Sequence, residues 1–347
     1  MKEGVSFVSA AENHSHAIKN GKLFTSGWDS PGLFGSDRRG RTVTSPKRVG
    51  GLSDWESVFS RRDTVFAIRH GALFAWGFNA TGQLGLGDTD PREVPCPVGD
   101  KIGWTKVAPG LSHTLALFKG ELFSWGANGI GQLGIGTFHQ KTSPVKVGER
   151  DDWEDVAVGL AHSLAICNGE LYAWGDNRFG QLGTGDKTNK RSPTRIGNFS
   201  NWDKVFACGH FSLAIRKGEL YSWGENALGQ LGLGDYLPRR SPSLVGGRFD
   251  WTSASPGERG VLAIANGAAF LWGMKKFSGY GALLEDTCNH PVRIDDSFTW
   301  EGVSMGANHA LAIKDGELFS WGRNTSGQLG LGHMGVVEEP RMVFLPE

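Results

Sequence analysis

Cysteine is scarce in this 347-residue chain. Cys96, Cys167, Cys208 and Cys288 are scattered, with no CxxC pair and no His/Cys cluster at metal-ligand spacing. That pattern argues against a disulfide framework or a zinc site and favours reduced thiols in a cytosolic or nuclear compartment. Net charge is lacking too: 36 basic residues face 36 acidic ones, so the whole molecule carries no bias toward nucleic acid or anionic membrane. No segment approaches 18 consecutive apolar residues, and the opening MKEGVSFVSAAENHS has no apolar core of signal-peptide length. Neither membrane spanning nor secretion is expected. Helical periodicity is missing as well, since the apolar residues fall in short alternating runs.

What the chain has is repetition. GELYAWGDNRFGQLGTGD from Gly169 returns with small changes from Gly71, Gly120, Gly218 and Gly316. Trp76, Trp125, Trp174, Trp223, Trp272 and Trp321 are each 49 residues apart. Trp55, Trp104, Trp153, Trp202, Trp251 and Trp300 keep the same step, as do the seven prolines from Pro46 to Pro340. The first copy is degenerate, with Ser26 in the tryptophan position and Leu33 in that of the glutamine. A fixed period of this size is the mark of a repeat architecture, so a single domain over residues 1–347 is expected despite the length.

Each unit reads as strands. WEDVAVG, HSLAI and ELYAWG are short, apolar and alternating, and a two-residue Asn-Gly, Asp-Gly or X-Gly turn joins the second to the third in all seven copies. Such turns accept the positive φ angles of a type I′ hairpin. After the GQLGLGD loop comes a strand read as beginning with proline, which belongs at a sheet edge because proline donates no ladder hydrogen bond. Four antiparallel strands in each of seven units predict an all-β, seven-bladed propeller, closed by joining the N- and C-terminal units. The loop glycines are read as shaping a tight loop, Asn79 and its copies as bonding their own backbone, and Gln83 and its copies as bonding backbone between blades.

The pattern of WG-x-N-x-x-GQLG, proline strand and VAxGxxHSLAI resembles the regulator of chromosome condensation family from about Val5 to Val343. The resemblance implies the propeller fold and admits several functions. The founding member promotes guanine-nucleotide exchange on the small GTPase Ran through a projecting wedge, and no insertion here supplies one. Chromatin binding in the family relies on a basic N-terminal tail, which this chain is not expected to have. A plant member senses ultraviolet-B light through GWRH motifs. The matching positions here read Gly110-Leu111-Ser112-His113, Gly159-Leu160-Ala161-His162 and Gly306-Ala307-Asn308-His309, without tryptophan.

The recurrent His14, His113, His162 and His309 are read as structural, because Thr64, Phe211 and Gly260 interrupt the ring and no carboxylate recurs beside it. No nucleophile and base can be paired, so the chain is expected to be no enzyme and to need no cofactor. Variation among copies then points to function. Loops one-to-two and three-to-four share a face of an antiparallel blade, and there Arg61, Arg62 and Asp63 replace the usual Gly-Leu-Ser, His210 and Phe211 replace Ala-His, and Glu258 and Arg259 replace Leu-Ala. In the sixth unit Lys275, Lys276, Phe277 and Tyr280 replace the loop motif. With Arg38, Arg39, Lys187, Lys190, Arg191, Arg239 and Arg240 nearby, this face is expected to be basic with exposed aromatics. The expected partner is a protein, possibly acidic. Exchange on a Ran-like GTPase, or a structural place in a large assembly such as a virion or organellar complex, are the alternatives.

Overall fold

The computed structural model describes residues 4–29, 40–247, 250–274, 287–295 and 299–346. Seven four-stranded antiparallel sheets, each from one continuous stretch of chain, form blades 1 to 7 over residues 5–48, 55–102, 104–146, 153–195, 202–244, 251–293 and 300–342. Strand order within a blade follows the chain from the axis outward. The first strands neighbour one another around the axis, and that of blade 7 returns to that of blade 1. No helix occurs among the described residues.

Blade 4 shows why the unit folds this way. Trp153–Val158 pairs with His162–Cys167, which pairs with Glu170–Gly175 across the Asn168-Gly169 turn. Both turn residues have positive φ, 49° and 68°, as a type I′ hairpin requires. The outermost strand is Lys190–Arg195. Proline does lie on the edge strand, but inside it and not at its start. Pro193 occupies a register shift between the Ala173–Thr194 and Gly175–Lys190 pairs, where no ladder bond is asked of it.

The core lies between blades. Leu115, Leu117, Leu122 and Val147 of blade 3 pack with Trp153, Val156, Ala165 and Trp174 of blade 4, and the other seams repeat this plan. Trp174 Nε1 donates to the Gln132 carbonyl of the preceding blade at 2.9 Å, and Ser163 Oγ donates to the same oxygen at 2.8 Å. The equivalent indole bonds join Trp125 to Gln83, Trp223 to Gln181 and Trp272 to Gln230. The bond between blades thus runs through the main-chain carbonyl of glutamine. Its side-chain Oε1 stays local and accepts from the N–H two residues back, as Gln132 does from Ile130 at 2.9 Å. Gly134 lies flat on the indole of Trp174, and a Cβ there would come within 2.6 Å of Nε1. Asn128 clasps the loop from inside, accepting from Leu133 N and donating to the carbonyls of Thr137 and His139.

The ring closes without exchanging a strand. Val5, Val8, Ala17 and Phe24 of blade 1 pack with Leu311, Ile313, Leu318, Val343 and Leu345. Val5 N donates to Gly316 O at 2.8 Å, and Gly332 N donates to Thr44 O at 2.8 Å. Both ends of the described chain meet at this seam.

Candidate functional site

Three of the four recurrent histidines are latches between blades. Nε2 of His113 lies 3.1 Å from Ser163 Oγ, that of His162 2.9 Å from Ser212 Oγ, and that of His309 2.8 Å from Ser15 Oγ, each in the next blade. Ser163 and Ser212 spend their protons on the Gln132 and Gln181 carbonyls, so the imidazole is the donor. All three rings are buried and their pKa values are pushed down by that burial, to about 4, about 3 and about 4. Among the described residues no three His, Cys, Asp or Glu side chains converge as metal ligands.

The one-to-two loops surround the mouth of the axial channel and hold six of the residues singled out from the sequence, Arg61, Arg62, Asp63, His210, Glu258 and Arg259. Arg61 of blade 2 reaches across the axis to Cys208 of blade 5, with Nη2 3.0 Å from Sγ. Arg62, half-exposed, pairs with Glu12 of blade 1 at 3.1 Å. Asp63 has its carboxyl pKa raised, first by burial and then by the nearby Glu12. Glu258 and Arg259 are exposed on blade 6. His210 stacks on Phe179 with ring centroids 4.5 Å apart and lies 3.8 Å from Asp176. Asp176 is buried, which opposes its ionisation, yet its bidentate pair with Arg178 holds the pKa below the ordinary carboxylate value.

Two placements differ from expectation. Phe211 is 1% exposed, taking the histidine position at the start of its strand and filling the seam with Trp251 and Val261. Arg61 points inward, because a long side chain at the rim of a narrow mouth finds its partner across the axis. The mouth as a whole is self-compensated, with Arg61, Arg62 and Arg259 set against Glu12, Asp63 and Glu258. Lys275, Lys276, Phe277 and Tyr280, with Arg38 and Arg39, lie outside the described residues.

The positive charge of this face is on its outer rim, over blades 3 to 5. Lys190 and Arg239 are tied to Asp186 and Asp235, and these pairs brace the three-to-four loops. Lys187, Arg191 and Arg240 are exposed, and no ion pair joins them to a described carboxylate. Gly136 N donates to Arg191 O and Gly185 N to Arg240 O, so each loop rests on the start of the next blade's edge strand. This brings the Phe138 stretch against the Arg191 end of blade 4 and the Lys187 stretch against the Arg240 end of blade 5. Phe138 is 56% exposed, Tyr236 45% and Leu237 64%. Phe78 and Phe179 are also exposed on this face. These aromatics escaped the sequence reading. The available signal was that Phe138, Lys187 and Tyr236 hold one repeat position, just beyond the glycine loop, where no residue recurs.

Comparison with known proteins gives a consistent family assignment. The profile described as the regulator of chromosome condensation (RCC1) repeat matches residues 70–117, 119–166, 168–215, 217–264 and 315–347, more than half of the chain. A second profile of the same description matches residues 153–181 and 300–328. Human probable E3 ubiquitin-protein ligase HERC3 is 38% identical over 95 residues, covering 26% of this chain and 9% of that protein. The chain therefore spans about a tenth of the length of this relative. The crystal structure of human WBSCR16 superposes with a TM-score of 0.82 at 24% identity, covering 94% of each chain. Yeast RCC1 (Prp20), solved bound to Kap60, gives 0.78 at 22% identity, covering 89% of this chain and 80% of that one. Identities this low show a shared fold.

Proposed function

We propose that this chain, which belongs to the regulator of chromosome condensation (RCC1) repeat family, is a non-catalytic interaction propeller that docks an acidic partner protein on its loop face. The observation that carries the reading is the rim of blades 3 to 5, where Lys187, Arg191 and Arg240 stand exposed and without an ion pair to a described carboxylate, with Phe138 against the Arg191 end and Tyr236 further round, bonded to Thr287 of blade 6. Exposed apolar rings amid unpaired cations match the aromatic and arginine anchors that dominate protein interfaces, and the surplus charge favours a negative partner. Arg62, Arg259 and His210 at the mouth extend the same face. Arg61 and Phe211, engaged within the fold, are not assigned to it.

Affinity capture from the native source tests the reading. Wild type is compared with a variant carrying Lys187→Glu, Arg191→Glu and Arg240→Glu, with folding verified by an unchanged melting temperature. Loss of a partner that wild type captures supports the rim. Equal capture by both places the docking surface elsewhere. If the captured partner is a small GTPase, faster nucleotide release in the presence of the propeller establishes exchange activity.

A further inference from the structure

Inside the ring a cavity of about 220 Å³ lies on the axis, lined by residues from the first strands of all seven blades. At about 30 Å³ per water it holds the equivalent of about seven waters. Phe59, Phe206 and Met305 give it apolar walls, and Ser9, Ser60, Ser255 and Ser304 contribute hydroxyls. Those hydroxyls are engaged in joining blades: Ser9 Oγ lies 2.8 Å from Ser60 Oγ, Ser304 Oγ accepts from Ala10 N, and Ser255 Oγ accepts from Met305 N. The two cations of the cavity, Lys106 and Arg61, are in different situations. Lys106 is ion-paired with Asp155, whose carboxylate is further held by the N–H groups of Val156 and Val205.

Arg61 has no such carboxylate. Its guanidinium donates to the Cys208 sulfur, a thiol that burial keeps protonated by raising its pKa. Glu258 and Glu12 act on it at longer range, and Glu12 is already paired with Arg62. A guanidinium carries five N–H donors in a fork that fits two oxygens at once. A neutral thiol uses one donor and offsets none of the charge, so the part-buried fork, balanced only at longer range by Glu258 and Glu12, keeps donors open beside the cavity.

We propose that the axial cavity is the binding site for a small oxyanion, a phosphate or the carboxylate of a small acid, held by the Arg61 guanidinium swung off Cys208. The site is independent of the rim of blades 3 to 5, so either assignment can fail without the other. With the charges of the mouth balanced, no long-range steering is expected and the affinity rests on the fork itself.

The test is calorimetric titration of the full chain with sodium phosphate and, separately, sodium malonate, against sodium chloride at equal ionic strength. Wild type is expected to bind one of the two oxyanions with one-to-one stoichiometry, and which of them binds tells phosphate from carboxylate. Arg61→Met should abolish binding, and Arg61→Lys, which keeps the charge and loses the fork, should weaken it by about tenfold. Cys208→Ala leaves the guanidinium in place and should bind at least as tightly as wild type; this variant keeps the test meaningful if Arg61→Met proves unstable. Absence of saturable heat beyond the chloride control in wild type overturns the proposal. So does undiminished binding by a folded Arg61→Met, which would mark an adventitious ion only.

Discussion

The seams between blades fall into two kinds. Those joining blades 3 to 4, 4 to 5 and 7 to 1 carry the histidine latch, whereas those leaving blades 2, 5 and 6 have Thr64, Phe211 or Gly260 in its place. The indole-to-glutamine bond is found in both kinds, at the 2/3 and 5/6 seams as well as at 3/4 and 4/5. Tryptophan is therefore the general fastener and histidine an addition that leaves its mark upstream. Latched blades 3, 4 and 7 keep Gly110, Gly159 and Gly306 three residues before the histidine, and a Cβ on Gly159 would lie 2.1 Å from His162 Cε1. Unlatched blades 2 and 5 are free to hold Arg61 and Cys208 there, and these two then meet across the channel. Blade 1 keeps the histidine but not the latch: blade 2 offers Val65 where the latched seams have serine, so His14 Nε2 has no partner among the described residues, and its ring turns to His16 at a centroid distance of 5.0 Å.

Acid should separate the two kinds of seam most widely. Burial holds the ring pKa values of His113 and His309 at about 4 and that of His162 at about 3, against an ordinary value of 6.5. Above pH 6.5 these rings are neutral both folded and unfolded, and the full stability is present. As pH falls below 6.5 the unfolded chain takes up protons that the folded chain refuses, so stability declines until the folded rings also protonate near pH 4 or below. The slope is about 1.4 kcal/mol per pH unit for each histidine at its steepest. Urea midpoints measured from pH 7.5 down to pH 4.5 should fall steeply, and His162→Asn should remove one histidine's share of the slope. An unchanged slope in that variant would show that the latch does not govern the acid response.

Removing the fastener common to both kinds comes next. Trp174→Ala empties a fully buried site and leaves the Gln132 carbonyl to Ser163 Oγ alone, a loss of about 3–5 kcal/mol in a urea titration. In blade 1 the same repeat position holds Ser26, whose hydroxyl meets the Gln328 carbonyl at a long 3.4 Å. Ser26→Ala should cost under about 1 kcal/mol. Comparable losses in the two variants would mean that the seam at blade 1 depends on Ser26 as others depend on tryptophan.

These seams also explain what was legible beforehand. The Asn-Gly turns, both tryptophan ladders and the edge prolines announced the propeller because each acts through local conformation or burial, which a repeat displays in every copy. The latch was hidden because its two members, such as His162 and Ser212, lie in different repeats and the bond exists only once blades pack. The glutamine role was half visible for a related reason: the side chain recurs, but the atom that crosses the seam is a carbonyl any residue would offer. Arg61 and Phe211 departed from their repeat positions and so drew notice, yet departure does not reveal direction, and both turned inward.

The smallest effect gives the sharpest test of the coupling between glycine and latch. Gly159 does not have a positive φ, so an added methyl there meets a steric obstacle and no backbone strain. That obstacle is the His162 ring at 2.1 Å, followed by the Gly209 carbonyl at 3.0 Å. Gly159→Ala should therefore displace the ring, break its bond to Ser212 and destabilise by about 1–3 kcal/mol. His162→Phe alone should cost a similar amount through the lost latch. The pair together copies what blade 5 already carries in Cys208 and Phe211, a larger residue at the glycine position above an apolar ring. The double variant should lose less than the sum of the singles, with a coupling of about 1 kcal/mol or more. Strict additivity in urea midpoints would mean that the Gly209 carbonyl alone excludes a side chain at position 159, and that glycine and histidine share these blades without depending on each other.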